Sequence, residues 1–163
     1  PEPVPPNPEP LPNTLRDNLP RNNSGIGYFI QIPDIHLDTK VIPNSVANCG
    51  EPMCCRELDN QYNYTYNVTY AGMFGIAEAG INCDVSVPVF NSMNSYISDY
   101  IIKNVTNNSV DFIVFVGDGV PHDVYNQSQE QHLTIMKQIL YSWKDTIGKN
   151  VPIFNILGNH EGQ

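Results

Sequence analysis

The residues of this 163-residue chain with most scope for chemistry fall in three short motifs, each at the end of an apolar run. Asp34-Ile35-His36 follows Tyr28 to Ile32, Gly117-Asp118 follows Phe112 to Val116, and Gly158-Asn159-His160 follows Val151 to Leu157. Carboxylate, imidazole and amide groups supply the oxygen and nitrogen donors that hold divalent metal ions. If the apolar runs are parallel strands of an α/β sheet, all three motifs reach its carboxyl edge, where such sheets bind ligands. Asp34 and His36 alternate along the chain, so an extended backbone would send both side chains to one face. Asp118 has two oxygens with which to bridge two cations, and Asn159 offers a neutral amide oxygen. His160 points elsewhere and is free for proton transfer. Taken singly, each motif has an ordinary reading as turn chemistry. All three, in order and each at a strand end, read together as a metal-dependent hydrolase site.

The elements that would position these motifs follow from the apolar pattern. Gly25 to Pro33 reads as a first strand, with Pro33 at its last position because it cannot donate to a ladder. Pro88 opens a helix to about Lys103, with Val89, Met93, Tyr96, Ile97, Tyr100 and Ile101 at spacings of three and four. Asp111 to Val116 is a continuous apolar run, the pattern of a strand covered on both faces. A second helix is predicted from Val124 to about Trp143, with Leu133, Met136, Ile139, Leu140 and Trp143 on one stripe and Gly148 as its stop. His132 matches no motif and reads as a surface histidine of that helix. Val151 to Leu157 is the third strand. The order β-α-β-α-β predicts an α/β fold with a parallel sheet and right-handed crossovers.

Composition narrows the function classes. Pro1 to Pro20 holds eight prolines and no apolar period, so residues 1–24 read as an extended linker and 25–163 as one domain. With 8 basic against 17 acidic residues, the formal net charge is −9. The absence of a basic stripe argues against nucleic-acid binding. Cations for a phosphate ligand must then come from bound metal. No run reaches the roughly 18 apolar residues of a transmembrane helix. Cys49, Cys54, Cys55 and Cys83 are even in number and lack zinc spacing. A bond between adjacent Cys54 and Cys55 would strain the peptide between them. Cys49–Cys54 with Cys55–Cys83, or Cys49–Cys55 with Cys54–Cys83, remain. Either pairing staples the long polar stretch from Leu37 to Asp84, which has no period of its own. Six N-x-S/T sequons, at Asn22, Asn63, Asn67, Asn104, Asn107 and Asn126, add to the expectation of a secreted or lysosomal glycoprotein.

Asp34-x-His36, Gly117-Asp118 and Gly158-Asn159-His160-Glu161 resemble the first three motifs of the calcineurin-like metallophosphoesterases. Within that family the chain is similar to the acid sphingomyelinase branch. The likeness lies in Gly117-Asp118-Gly119-Val120-Pro121-His122-Asp123-Val124, in Gln127, Gln131 and Leu133, in Cys49-x4-Cys54-Cys55, in Cys83-Asp84 and in Glu161. It runs from about residue 28 to the end. The resemblance implies a partial αββα sandwich, of which this chain supplies a β-α-β-α-β half and a disulfide-stapled loop region. It also implies two zinc ions, with Asp34 and His36 on the first, Asp118 bridging both, and Asn159 on the second. A water activated between them would attack phosphorus in line. His160 and His122 are the implied catalytic acids that protonate the departing alkoxide, and Cys49–Cys54 with Cys55–Cys83 is the implied disulfide pairing. The implied reaction cleaves sphingomyelin to ceramide and phosphocholine, with membrane contact through the lipid substrate. A nucleotide or pyrophosphate-type phosphodiester is the enzymatic alternative, and a non-catalytic secreted glycoprotein fragment is the other.

Two departures from the family pattern carry their own expectations. Pro33 stands where relatives carry a small hydroxyl residue, which removes a hydrogen bond to the first motif. The four histidines are His36, His122, His132 and His160, so the family's remaining zinc ligands, in Gly-His and Gly-His-x-His motifs, are not among them. The chain is therefore expected to be the N-terminal portion of the catalytic domain, inactive by itself. Its proline-rich opening resembles the linker that follows the family's saposin-like domain.

Overall fold

The computed structural model describes residues 27–57, 68–71, 82–106, 110–148 and 151–162. The proline-rich segment 1–24 and the sequons at Asn22, Asn63, Asn67 and Asn107 lie outside the described residues. Asn104 and Asn126 lie within them and are exposed.

Strands β1 (Tyr28–Ile32), β2 (Val110–Phe115) and β3 (Ile153–Asn155) form one parallel sheet in the order β1-β2-β3. Between β1 and β2 lies α1 (Val87–Tyr96), continued by π-helical turns over Ile97–Val105, and between β2 and β3 lies α2 (Gln129–Thr146). This is the β-α-β-α-β order read from the sequence. Among the described residues there is one sheet, so they do not themselves form a two-sheet sandwich. The long polar stretch after β1 is stapled by Cys49–Cys54 and Cys55–Cys83, the pairing that the resemblance implies.

Side-chain alternation along β2 decides which face the helices cover. Ile113 and Phe115 are fully buried in a core that includes Ile32, Phe90, Ile139 and Trp143. A continuous apolar run predicts cover on both faces, whereas the helices cover one. On the other face Phe29 stacks on Phe112 at 5.4 Å, and Phe154 meets Phe112 edge-on at 5.8 Å. On the covered face Trp143 sits edge-on to Phe115 at 5.1 Å and reaches Phe90 of α1 at 6.4 Å. The Trp143 indole N–H donates to Asn94 Oδ1 (3.0 Å), and Asn94 Nδ2 donates to Ser142 Oγ (2.9 Å). A buried polar group is thus satisfied while it ties α1 to α2.

Both helices depart from their predicted stripes for identifiable reasons. The segment Val124–Asn126 forms a 3-10 turn, and α2 starts at Gln129 instead of Val124. Ser128 caps it in a reciprocal box: Ser128 Oγ accepts from Gln131 N, and Gln131 Oε1 accepts from Ser128 N. With Ile139 and Trp143 fixed inside, helical spacing selects Ile135 and His132 as their partners. His132 is therefore a buried residue of the helix, not a surface one, and Leu133 is exposed. In the first helix the turn widens after Tyr96. The five-residue step from Ile97 to Ile102 keeps both inside, and Tyr96 and Tyr100, predicted on the apolar stripe, stack on each other in solvent at 5.1 Å. Ladder pairing of β3 stops at Asn155 rather than Leu157, although Ile156 N still donates to Phe115 O (2.9 Å).

Asn94→Ala should cost about 1–3 kcal/mol, because it strands the Trp143 N–H in the core. Urea unfolding measures this, and an unchanged midpoint would contradict the role given to Asn94.

Candidate metal centre

The site forms where the three strands end. Past Ile32 the ladder has lost its donor at Pro33. Asp34 (φ 40°) and His36 (φ 44°) then take left-handed backbone conformations, as does Asp118 (φ 53°) after β2. Such conformations cost of order 1–3 kcal/mol each and concentrate at functional sites; Asp and His are among the residues that enter them most readily. Asp34 and His36 thus converge through left-handed turns and not through the extended alternation expected from their spacing. Ile35 between them is buried and anchors the turn in the core. His36 N donates to Asp118 O (2.9 Å) and Leu37 N to Gly119 O (2.8 Å), which holds the first two loops side by side.

One donor atom from each of Asp34, His36 and Asp118 lies within 4.8 Å of the other two. His36 Nδ1 is 2.9 Å from Val120 O, an atom that can only accept. The proton is therefore on Nδ1, and the Nε2 lone pair is left for an ion. Two carboxylates with an imidazole already satisfied on its far side fit a divalent cation. Asp118 Oδ1 also accepts from His160 N (2.9 Å), which fixes the carboxylate. Asn159 is exposed in the same turn, between Gly158 and His160.

His36 also belongs to a second cluster with His122 and His160, whose donor atoms again lie within 4.8 Å of one another. The His122 ring stacks on His36 at 3.8 Å, and His160 stands edge-on to both at 4.9 Å. His160 Nδ1 is buried with no hydrogen-bond partner among the described residues, an orphan that a ligand in this crevice would complete. His122 is held by Asp84: its Nδ1 donates to Oδ1 (2.6 Å) and its backbone N–H to Oδ2 (2.7 Å). Sequence reasoning singled out both histidines but gave Asp84 no role beyond its place beside Cys83. The partners are 38 residues apart, and no local pattern joins them.

A further group missed in the sequence lies behind the site. Arg56 Nε and Nη2 donate to Asp38 Oδ2 (3.0 and 2.9 Å), and Nη1 donates to Asp123 Oδ2 (2.6 Å). Both carboxylates are only 1% exposed. Burial opposes the Arg56 charge, but the hydrogen bond to Asp123 and the charge of Asp38 override it and raise its pKa further. Burial likewise works against the Asp123 charge, and the bonds from Arg56 and Gln127 outweigh it, holding Asp123 below the usual carboxylate value. Arg56 follows Cys55 and Asp84 follows Cys83, so the Cys55–Cys83 disulfide joins the supports of Asp38, Asp123 and His122.

Oxygen and nitrogen donors that could hold a cation thus gather at the carboxyl edge of a parallel α/β sheet. No protein-family model matches the chain. It is 31% identical to sphingomyelin phosphodiesterase A of Dictyostelium discoideum over 141 residues, 86% of this chain and 21% of that protein. It is 27% identical to sphingomyelin phosphodiesterase B of the same organism over 155 residues, 94% of this chain and 22% of the relative. Sphingomyelin phosphodiesterase 1 of Caenorhabditis elegans is 28% identical over 133 residues, 82% of this chain and 21% of its own length. The chain spans about a fifth of the length of the curated relatives it matches. These likenesses support an acid sphingomyelinase-like relationship for the chain.

Arg56→Ala should cost about 3–5 kcal/mol, since it leaves two buried carboxylates without a counter-charge. A loss below about 1 kcal/mol in urea unfolding at neutral pH would contradict the bridge. The lowered Asp123 pKa also sets a pH dependence. Its contribution is complete above the ordinary carboxylate value of ~3.9 and fades as pH falls through that value toward the lower folded one. Acidification over this window should therefore cost Asp123→Asn less stability than it costs the unsubstituted protein.

Proposed function

We propose that this chain contributes the active-site residues Asp34, His36, Asp118, Asn159, His122 and His160 to a secreted or lysosomal, zinc-dependent sphingomyelin phosphodiesterase. Its reaction would be hydrolysis of sphingomyelin to ceramide and phosphocholine at a lipid surface. The observation that carries this reading is that His36 is shared between an oxygen-rich donor set and a cluster of histidines. One set suits cations beside a phosphoryl group and the other suits proton transfer, the two requirements of phosphodiester hydrolysis. The relationship to proteins named sphingomyelin phosphodiesterases supports the substrate class.

The residues proposed to hold two Zn²⁺ are Asp34 and His36 for one, Asn159 for the other, and Asp118 between them. Bound there, the ions supply charge neutralisation at the phosphoryl oxygens and a lowered pKa for the attacking water. The chain's own groups do the rest. Asp118 is oriented by the His160 amide, and His36 by the Val120 carbonyl. Asp84 fixes the His122 ring with Nδ1 protonated, so that in the imidazolium form Nε2–H is the proton available to the departing ceramide oxygen. His160, edge-on to His122, is the second candidate for that proton. The two disulfides and the exposed sequons at Asn104 and Asn126 support an oxidising, extracytosolic compartment. Among the described residues no helix is long and apolar enough to cross a membrane; the lipid contact proposed is that of the substrate itself.

In the intact protein with zinc, Asp118→Asn should lose bound metal and nearly all turnover of sphingomyelin in vesicles. Retention of two zinc ions, or faster turnover of nucleotide diesters than of sphingomyelin, would contradict this reading. Asp84→Asn should lower kcat about 100-fold on sphingomyelin. It should have far less effect on a nitrophenyl diester, whose leaving group needs no proton. Equal losses on both substrates would remove His122 from the general-acid role.

A further inference from the structure

We infer that Glu161 is a positioning residue whose carboxylate locks the loops after β2 and β3 at a fixed separation. Four backbone N–H groups donate to this one side chain. Oε2 accepts from Asp118 N (2.8 Å) and Gly158 N (2.7 Å), and Oε1 accepts from Gly119 N (2.6 Å) and Val120 N (3.4 Å). Consecutive amides around a left-handed residue form a concave anion-binding nest, and here the nest is filled by the protein's own carboxylate.

The position of this lock gives it its consequence. Ladder pairing between β2 and β3 ends at Phe115 and Asn155, followed by the single bond from Ile156 N to Phe115 O. Beyond it, the two loops are tied through Glu161 and through His160 N to Asp118 Oδ1. Asp118 stands on one loop, Asn159 and His160 on the other. Glu161 therefore sets the distance from the carboxylate to the amide and imidazole, and Oε2 alone spans both loops. The side chain's chemistry is specific. Charged acceptors make N–H bonds roughly twice as strong as neutral ones. A Gln in this place would turn an NH₂ group toward backbone donors. An Asp is one methylene shorter and would fall short of one loop. In functional terms the inference rests on the metal-centre reading; its structural part does not.

The test uses Glu161→Gln, Glu161→Asp and Glu161→Ala in the intact protein, with hydrogen exchange at the Gly119, Val120 and Gly158 amides, zinc stoichiometry, kcat and KM. In Glu161→Gln, exchange at those amides should rise at least about 10-fold while circular dichroism and both disulfides stay intact. Its kcat should fall about 10–100-fold with KM little changed. Added formate should recover part of the kcat of Glu161→Ala at unchanged folded fraction, because a free carboxylate can refill the nest. Glu161→Asp should resemble the Gln variant. Unchanged amide exchange and kcat in the Gln variant would overturn the inference, as would a kcat loss that merely tracks the unfolded fraction. Opened amides in a protein that never shows metal-dependent turnover would leave the lock standing and remove the proposed function instead.

Discussion

Direct backbone contact between the turns after β2 and β3 is the constraint on which the rest of the site depends. Gly117 has φ 90°, and a Cβ there would lie 2.2 Å from Gly158 N; a Cβ on Gly158 would lie 2.2 Å from Asp118 Oδ1. Neither position has room for a side chain. Between them Asp118 takes a left-handed conformation, and its carboxylate meets the His160 amide. The convergence of a carboxylate with a histidine thus depends on the close approach of the two turns together with the Glu161 carboxylate that bonds to both.

That contact is supported from three sides. The helices fill one face of the sheet, where the Trp143–Asn94 bond keeps them in register with each other beneath β2. Arg56 neutralises two buried carboxylates, one just after the first motif and one just after the second, so the loops bearing His36 and His122 are tied from behind. The Cys55–Cys83 disulfide then places Arg56 and Asp84 at once, and Asp84 in turn places His122. Each support acts on backbone or ring orientation, which is where a site of this kind needs rigidity.

What could be read from the sequence was what repeats locally. Strand positions and the β-α-β-α-β order followed from apolar runs and helical spacing, and the three motifs stood out because each closes such a run. Features set by distant partners could not be read in this way. The Asp84–His122 pair and the Arg56 bridge join residues that no periodicity connects. Asp34 and His36 take left-handed conformations where His36 N and Leu37 N bond to the β2 loop, so the expected extended alternation failed although the residues themselves converge. His132 matches no motif, yet it lies on the helix face that Ile135, Ile139 and Trp143 turn into the core, so helical phase and not motif membership sets its burial. Tyr96 and Tyr100 left the core for a related reason, a widened turn that no composition rule marks.

Zinc-edge anomalous diffraction from crystals of the intact protein grown with Zn²⁺ tests most directly whether Asp34, His36 and Asp118 share an ion. The expected result is a peak about 2.0–2.2 Å from a carboxylate oxygen of Asp34, a carboxylate oxygen of Asp118 and His36 Nε2. Zinc peaks that avoid all three side chains would contradict it.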